Sequence, residues 1–415
     1  VEGNFPKDLD VLRLSQFGGT TGHWGGTCRT LDEYDFNKWP ISKVDISKFQ
    51  QAACNFLKIK NEFREKKLNE SLKIIEFQES KVRVYDDYFE KVKNSKNIFL
   101  ILNTTVFNIS INNNKLEKII FKKKLDIFEQ TGKILVLACG GIENSRLLLW
   151  FKKNNSNFFG DLPIGNYWME HPYKIIGSGV GNFKKIREKF KNEFHFFENY
   201  RNWGNFTVSI SPTEEMIINN KILNSGVFLT LHDRENSTLK NNVKELLCVA
   251  PKLSSKILKL LDKNLLCGIT ISSSWEQDSQ FKNKIILTDS YDNNGIPIIK
   301  LKYTLSDHSF LTAQNMIKKI GKFFIDENLG RIAGENIYNK DEFISEAGYH
   351  HIGGTLMGID KFNSVVDKNL KVHNLDNLYV LGSSVFPTGG HANPTLTIVQ
   401  LSLRLSEHLV KTQKI

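Results

Sequence analysis

The sequence predicts a two-domain chain: an α/β domain assembled from two separated segments, with an α+β domain built on a mainly antiparallel sheet inserted between them. Three observations predict it. Two short, continuous apolar runs end in glycine, "KILVLACGG" and "NLYVLGSS", and the first leads straight into the helical stretch "IENSRLLLWFKK". Strand, glycine turn and helix in succession are the grammar of a nucleotide-binding, Rossmann-like sheet. The middle of the chain instead carries strand-like stretches without a helix after each, the mark of an antiparallel sheet. Finally, 415 residues exceed one ordinary core, at roughly 150 residues per domain. The expected boundaries are residues 1–165 for the first α/β segment, 166–340 for the inserted domain and 341–415 for the closing segment.

Taken in order, residues 1–40 are rich in Gly and Trp and hold "FGGTTGHWGGTCRTLDEYDF". Residues 45–93 read as helical and charged. From Ile98, "IFLILNTTVFNISI" and "KLEKIIFKKK" alternate like paired strands. "KILVLAC" reads as a strand buried on both faces, with Cys139 a buried small residue in it. In the inserted domain, "NFTVSISP", "GVFLTL", "CGITISSSWE", "KIILTDS" and "PIIKLKYTLS" read as strands, and 240–266 and 307–328 as helices. The chain closes on "GGHANPTLTIVQLSLRLSEHL", a helix with Asn393 as its expected N-cap and Pro394 at its first position. Gly389, Gly390 and His391 precede that cap, a sequence that lets backbone approach a neighbour closely.

Bulk composition excludes several classes. The formal charge is +11, but it is spread through Lys-rich surface stretches with no basic stripe interleaved with aromatics, so nucleic acid is not an expected partner. No apolar run reaches the ~18 residues of a membrane span. The five cysteines, at 28, 54, 139, 248 and 267, show no paired spacing, so neither a disulfide framework nor a zinc site is implied. Nothing at Val1 resembles a signal peptide, and no compartment is assigned.

Four Gly-rich segments, Gly18–Gly26, Gly140–Gly141, "HHIGGTLMG" and Gly382–Gly390, each stand beside His, Asn, Ser or Thr, as one large ligand against backbone requires. His350 sits in such a loop rather than on an apolar face. A neutral imidazole there accepts a proton from a hydroxyl, and the Asn393 amide holds the same oxygen. No metal-ligand spacing and no Gly-x-Ser-x-Gly elbow occurs in the sequence. A base without metal or nucleophile needs a cofactor to take electrons.

At these residues the sequence resembles a family. "HHIGGTLMG" followed by "SVVDKNLKVHNLDNLYVLGSSVFPTGGHANPTLTIV" is similar to the C-terminal signature of the glucose–methanol–choline (GMC) flavoprotein oxidoreductases. "FGGTTGHWGG", "VLACGGIENSRLLL", "WMEHP" and "EQDSQFKNKIILTDSYDNNGIP" resemble further family segments in the right order. The nearest flavour is the branch of sugar and polyol dehydrogenases and pyranose 2-oxidase. The resemblance implies FAD as cofactor, with His350 and Asn393 as the catalytic pair. It implies cofactor contacts at Gly19, His23, Trp24, Gly25, Gly26, Val106, Gly140, Gly382, Ser383, Asn393, Pro394 and Thr395. The helix opening at Pro394 would aim its positive end at the flavin. His23 falls near the position where some members carry a covalent flavin; a hydrogen-bonding loop histidine is the alternative.

The resemblance further implies a sugar or polyol substrate and an electron acceptor that is oxygen, a quinone or another carrier. Two departures stand out. The family's opening Gly-x-Gly-x-x-Gly unit is not found, and "GSGVGN" at 177–182 has the wrong spacing. The sequence is therefore expected to start after that unit and to bind FAD poorly by itself. Leu356 also stands where Arg is frequent. Two alternatives stay open: a non-catalytic remnant that binds no FAD, and a family enzyme acting on a sterol or other non-sugar alcohol.

Overall fold

A computed structural model describes residues 2–3, 13–124, 126–191, 206–232, 268–335, 337–340, 343 and 346–413. The helix expected over 240–266 lies outside the described residues, as do Cys248 and Cys267.

The two glycine-ended apolar runs come together. Leu135–Leu137 pairs in parallel with Leu378–Val380, Leu135 opposite Leu378 and Leu137 opposite Val380. Asn377 fixes that register: its amide N–H groups donate to the Leu116 and Lys133 carbonyls, and its oxygen accepts the Leu116 N–H. The pair is smaller and more open than its apolar continuity predicts, since Leu135 and Val136 are only half-buried. Cys139, expected to be buried, is exposed. The strand ends at Leu137, and Ala138 and Gly140 beyond it face a cavity rather than a core. The helix Gly140–Asn154 follows at once and buries Ile142, Leu147, Leu148 and Phe151, spaced along one face.

The inserted domain is built on an eight-stranded antiparallel sheet. In spatial order it runs Gly330–Gly334, Pro172–Gly181, Ile269–Trp275, Ser225–Leu231, Phe206–Pro212, Leu72–Ile75 and Glu65–Lys67, with Glu346–Ala347 also paired to Pro172–Gly181. Leu72–Ile75 and Glu65–Lys67 lie within the stretch read as helical. Helices there are confined to Lys43–Ser47, Gln50–Leu57 and Val84–Lys93, so the sheet also draws strands from the first segment of the chain. The helix Asp307–Asp326 covers one face with Ala313, Met316, Ile317, Ile320, Phe323 and Phe324 buried, and Ser306 caps it by accepting the Ser309 N–H.

Lys284–Tyr291 and Pro297–Tyr303 form a separate hairpin. Arg146 of the helix Gly140–Asn154 ties it down through the Pro297 and Ile296 carbonyls and Asp292. Thr105–Asn112, Lys115–Lys123 and Asp126–Thr131 make a meander, while Ile98, Phe99, Ile101 and Leu102 stay outside it and exposed. Among the described residues no helix is long and apolar enough to cross a membrane.

Candidate active site

The loop carrying His350 is held from two sides. On one side runs Trp168–Pro172: the Met169 N–H donates to the Ile352 carbonyl at 2.7 Å, the Ile352 N–H returns to Met169 at 3.0 Å, and the Gly348 N–H donates to His171 at 2.8 Å. On the other side the Gly353, Thr355 and Met357 N–H groups donate to the carbonyls of Ser383, Ser384 and Val385. The Ser383 hydroxyl donates to the His351 carbonyl at 2.6 Å. Gly141 also comes close, since a Cβ there would strike that carbonyl. Glu170 is fully buried beneath the loop. Its Oε1 accepts the His171 N–H at 2.9 Å and the His350 N–H, and its Oε2 stands 3.1 Å from His351 Nδ1.

These supports orient the His350 ring. Its Nε2 lies 3.0 Å from Asn393 Nδ2. An amide nitrogen only donates, so Nε2 is the accepting atom and a neutral ring carries its proton on Nδ1. That proton points at His171 Nδ1, 3.0 Å away. Burial, with His171 and His351 as charged neighbours in prospect, holds the His350 pKa well below the ordinary imidazole value. His350 is thus neutral at pH 7, one lone pair fixed on the side of Asn393.

Both residues line a cavity of about 710 Å³, which also takes in His23, Trp24, Gly25, Gly26, Ser383, Pro394 and Thr395. A second cavity of about 340 Å³ is lined by Gly140, Gly382 and Ser383. The two share Phe56, Ser383, Ile398 and Val399. Gly140 has φ +90° and nothing within 4 Å of a prospective Cβ, so it presents bare backbone in a conformation that suits glycine. The helix Thr395–Gln413 begins one residue later than expected: the Ile398 N–H donates to Pro394. Pro394 holds the cap position, and the Asn393 amide N–H is directed at His350. The free N–H groups of that first turn open beside the cavity.

Residues 280–402, a span that includes His350 and Asn393, match the family model described as GMC oxidoreductase. Over that span the chain is similar to the GMC oxidoreductases. Its similarity to the fructose dehydrogenase large subunit of Gluconobacter japonicus is 26% identity over 296 residues, covering 68% of this chain and 48% of that protein. It is 31% identical over 137 residues to a C-glycoside 3-oxidase of Microbacterium trichothecenolyticum, covering 32% of this chain and 25% of that one. It is 28% identical over 139 residues to the pyranose 2-oxidase of Lyophyllum shimeji, covering 33% and 22%. The chain thus matches about half, or less, of the length of these relatives. A solved pyridoxine 4-oxidase from Mesorbium loti shares the fold, with a TM-score of 0.54 and 12% identity over 89% of this chain and 71% of that one.

Most of the expected site residues meet at the two cavities. Gly19 stands beside them, in the turn Gly19–Gly22 next to the lining residues Thr20 and Thr21. Val106 does not join them: it lies on the strand Thr105–Asn112, packed against the core, and lines neither cavity. Sequence reasoning missed His171 and Glu170, although both lie within "WMEHP", because their partner is His350, 179 residues from His171. It also missed the cavity's outer wall. Tyr173, Ser274 and Gly226 stand side by side across three adjacent strands, with Phe228 two residues beyond Gly226 on the same face.

Proposed function

We propose that the protein is an FAD-dependent oxidoreductase that oxidises an alcohol group of a sugar or polyol. The observation that carries this reading is the neutral His350, its Nε2 lone pair set beside the Asn393 amide on a large cavity. FAD is the cofactor of the GMC family, and three relatives named above are a fructose dehydrogenase, a C-glycoside 3-oxidase and a pyranose 2-oxidase. The residues suit that cofactor. Gly140, Gly382 and Ser383 offer backbone, Gly19 and His23–Gly26 offer a loop along one wall, and Asn393, Pro394 and Thr395 offer a helix start whose dipole favours negative charge. When bound, the flavin supplies the hydride acceptor, N5.

The chain's own part is proton transfer and orientation. His350 Nε2 takes the proton of the substrate hydroxyl as the carbon gives up hydride. Asn393 donates to the same oxygen and holds it. The shared outer wall of Tyr173, Gly226, Phe228 and Ser274 selects the substrate. A positioned base contributes roughly 10²–10⁴-fold.

The test is a visible spectrum of the purified protein, followed by anaerobic addition of a panel of sugars and polyols. Bleaching of the oxidised flavin band is expected, and His350→Ala should slow it by about 10²-fold or more. Because the chain is expected to bind FAD poorly by itself, FAD is supplied in excess, and a protein that still takes up none refutes the cofactor. Bleaching by simple alcohols or sterols but by no sugar or polyol refutes the substrate class. His350→Ala with undiminished reduction refutes the base, and His351 becomes the next candidate.

A further inference from the structure

The chemistry above gives His391 no task. His391 lines the cavity, is 3% exposed, and its Nε2 has no hydrogen-bond partner. Its other nitrogen is anchored. Nδ1 lies 3.1 Å from Asn224 Oδ1. The Asn224 amide is itself oriented from behind, its Nδ2 at 2.8 Å from Asp35 Oδ1 and 3.4 Å from Asp32 Oδ2. Burial and the neighbouring Asp32 push the Asp35 pKa well up. Asp32, despite its burial, is held below the ordinary carboxylate value, with Lys73 and Arg29 beside it. It can therefore only accept, and the Asn224 nitrogen it faces donates. The Asn224 oxygen must then accept, so His391 Nδ1 carries the proton and Nε2 carries the lone pair. The order from surface to cavity is carboxylate, amide, imidazole, and each member determines the hydrogen-bonding sense of the next.

The ring is also held mechanically. Its Cδ2 lies over Gly226, where an added Cβ would stand 3.2 Å away, so any larger residue on that strand would crowd it. Phe77 meets the ring edge-on, with centroids 6.2 Å apart. His391 precedes Asn393 by two residues, so one turn of backbone brings both side chains to the same cavity. Burial pushes the His391 pKa down to about 3, which keeps the ring neutral and the lone pair in place across the working pH range.

We propose that His391 is a substrate-reading residue: its Nε2 presents a fixed acceptor to a second hydroxyl of a polyhydroxylated substrate, distinct from the hydroxyl held by His350 and Asn393. The proposal rests on the alcohol-oxidation reading above and adds to it a reason for preferring polyols. A buried acceptor with no partner rewards a ligand that brings a donor. It penalises one that does not, because the acceptor then stays buried and unsatisfied. A substrate with a single hydroxyl engages His350 and leaves His391 unmet; a sugar can satisfy both.

The experiment compares the flavin-loaded wild type with His391→Phe, which keeps a ring of similar shape and removes the acceptor. Probes are D-glucose, D-fructose and D-sorbitol on one side and cyclohexanol, with one hydroxyl, on the other. For a polyol that the wild type oxidises, kcat/KM should fall about tenfold or more in His391→Phe. For cyclohexanol it should stay within about threefold. An equal fall for both kinds of probe overturns the proposal and leaves the alcohol-oxidation reading intact.

A second measurement needs neither turnover nor a stable variant. The ¹⁵N spectrum of the wild-type histidines should contain a neutral ring protonated on Nδ1, assigned to His391, whose Nε2 resonance moves when one of the three polyols is added. A His391 protonated on Nε2, or an Nε2 resonance that none of the polyols moves, overturns it. If the wild type oxidises none of the probes, it is the alcohol-oxidation reading that fails, and this spectrum still decides the role of His391.

Discussion

His171 offers a sharp test of how the proposed base, His350, is held. His350 works as an acceptor at Nε2 only while its proton sits on Nδ1, and the group that receives that proton is His171 Nδ1 at 3.0 Å. His171 is fully buried, and burial holds its own pKa below the ordinary value, so it stays neutral and able to accept. His171→Leu fills similar space but leaves the His350 Nδ1–H buried without a partner. Leaving a buried donor unsatisfied costs about 1–3 kcal/mol. The ring can escape that cost by changing tautomer or turning, and either move withdraws the lone pair from the substrate. At about 1.4 kcal/mol per tenfold, the expected loss is roughly 5- to 150-fold in the rate of flavin reduction. Stopped-flow reduction under anaerobic conditions measures it, alongside flavin content and a thermal melt. His171→Asn places an amide oxygen where Nδ1 stood, and should recover most of the rate. A folded, flavin-loaded His171→Leu that reduces at the wild-type rate refutes the reasoning; so does a His171→Asn as slow as His171→Leu.

Three other outcomes follow from the same geometry. Asn393→Asp should yield a folded, flavin-loaded protein whose reduction is at least about 10²-fold slower near neutral pH, because a carboxylate beside His350 Nε2 draws the proton onto the ring; the rate should rise with pH, and a wild-type rate near pH 7 would contradict this. Glu276 is buried and its pKa is raised to about 7, with desolvation the largest cause; its native form therefore binds a proton that the unfolded chain releases near pH 4.3, and the stability this contributes is lost as pH rises through about 7. Relative to wild type, Glu276→Gln should thus gain about 2–3 kcal/mol between pH 5 and pH 8 in urea melts, and parallel stability curves would dismiss the assignment. His23 is exposed on the cavity wall at the end of the turn Gly19–Gly22. Acid precipitation is expected to leave the flavin in the supernatant; a yellow pellet that turns white in His23→Ala would assign the covalent bond instead.

What the sequence made legible was whatever a local pattern could encode. His350 and Asn393 are 43 residues apart, each in a distinctive short motif, and the fold brings them within 3.0 Å. The strands Ser225–Leu231 and Ile269–Trp275 were legible because one face had to be buried on the core, which imposes alternation. Leu72–Ile75 was not: four apolar-leaning residues among charges fit a helix as well as a strand. Pairing with Phe206–Pro212 on one side and Glu65–Lys67 on the other makes it a strand. The exposure of Cys139 had the same origin, since the run "LVLAC" does not state where the strand stops. His171, Glu170 and His391 were beyond reach for a further reason. Each acts through a partner brought near by the fold, and no spacing rule links residue 171 to 350 or 224 to 391.

The distribution of charge around the cavity ties these residues together. Four histidines, at 23, 350, 351 and 391, line it with Arg13, and among the described residues no Asp or Glu appears in its lining. The carboxylates stand one layer back. Glu170 lies beneath the His350 loop, and Asp32 and Asp35 lie behind Asn224. From there Glu170 holds the His350 backbone, and the acids behind Asn224 orient the amide that sets the His391 tautomer, without placing a carboxylate on the wall itself. The helix beginning at Thr395 adds a positive dipole end to the same wall. In the proposed reaction hydride would arrive in this cavity and bring negative charge, and a carboxylate on its surface would raise the energy of that arrival. In the proposed reaction the neutral imidazole of His350 would provide the proton acceptor, with the neutral ring of His391 on the same wall. Moving one acid forward, as Asn393→Asp does, tests that arrangement as well as the role of a single residue, since the substitution changes the sign of the wall at the atom that must accept the proton.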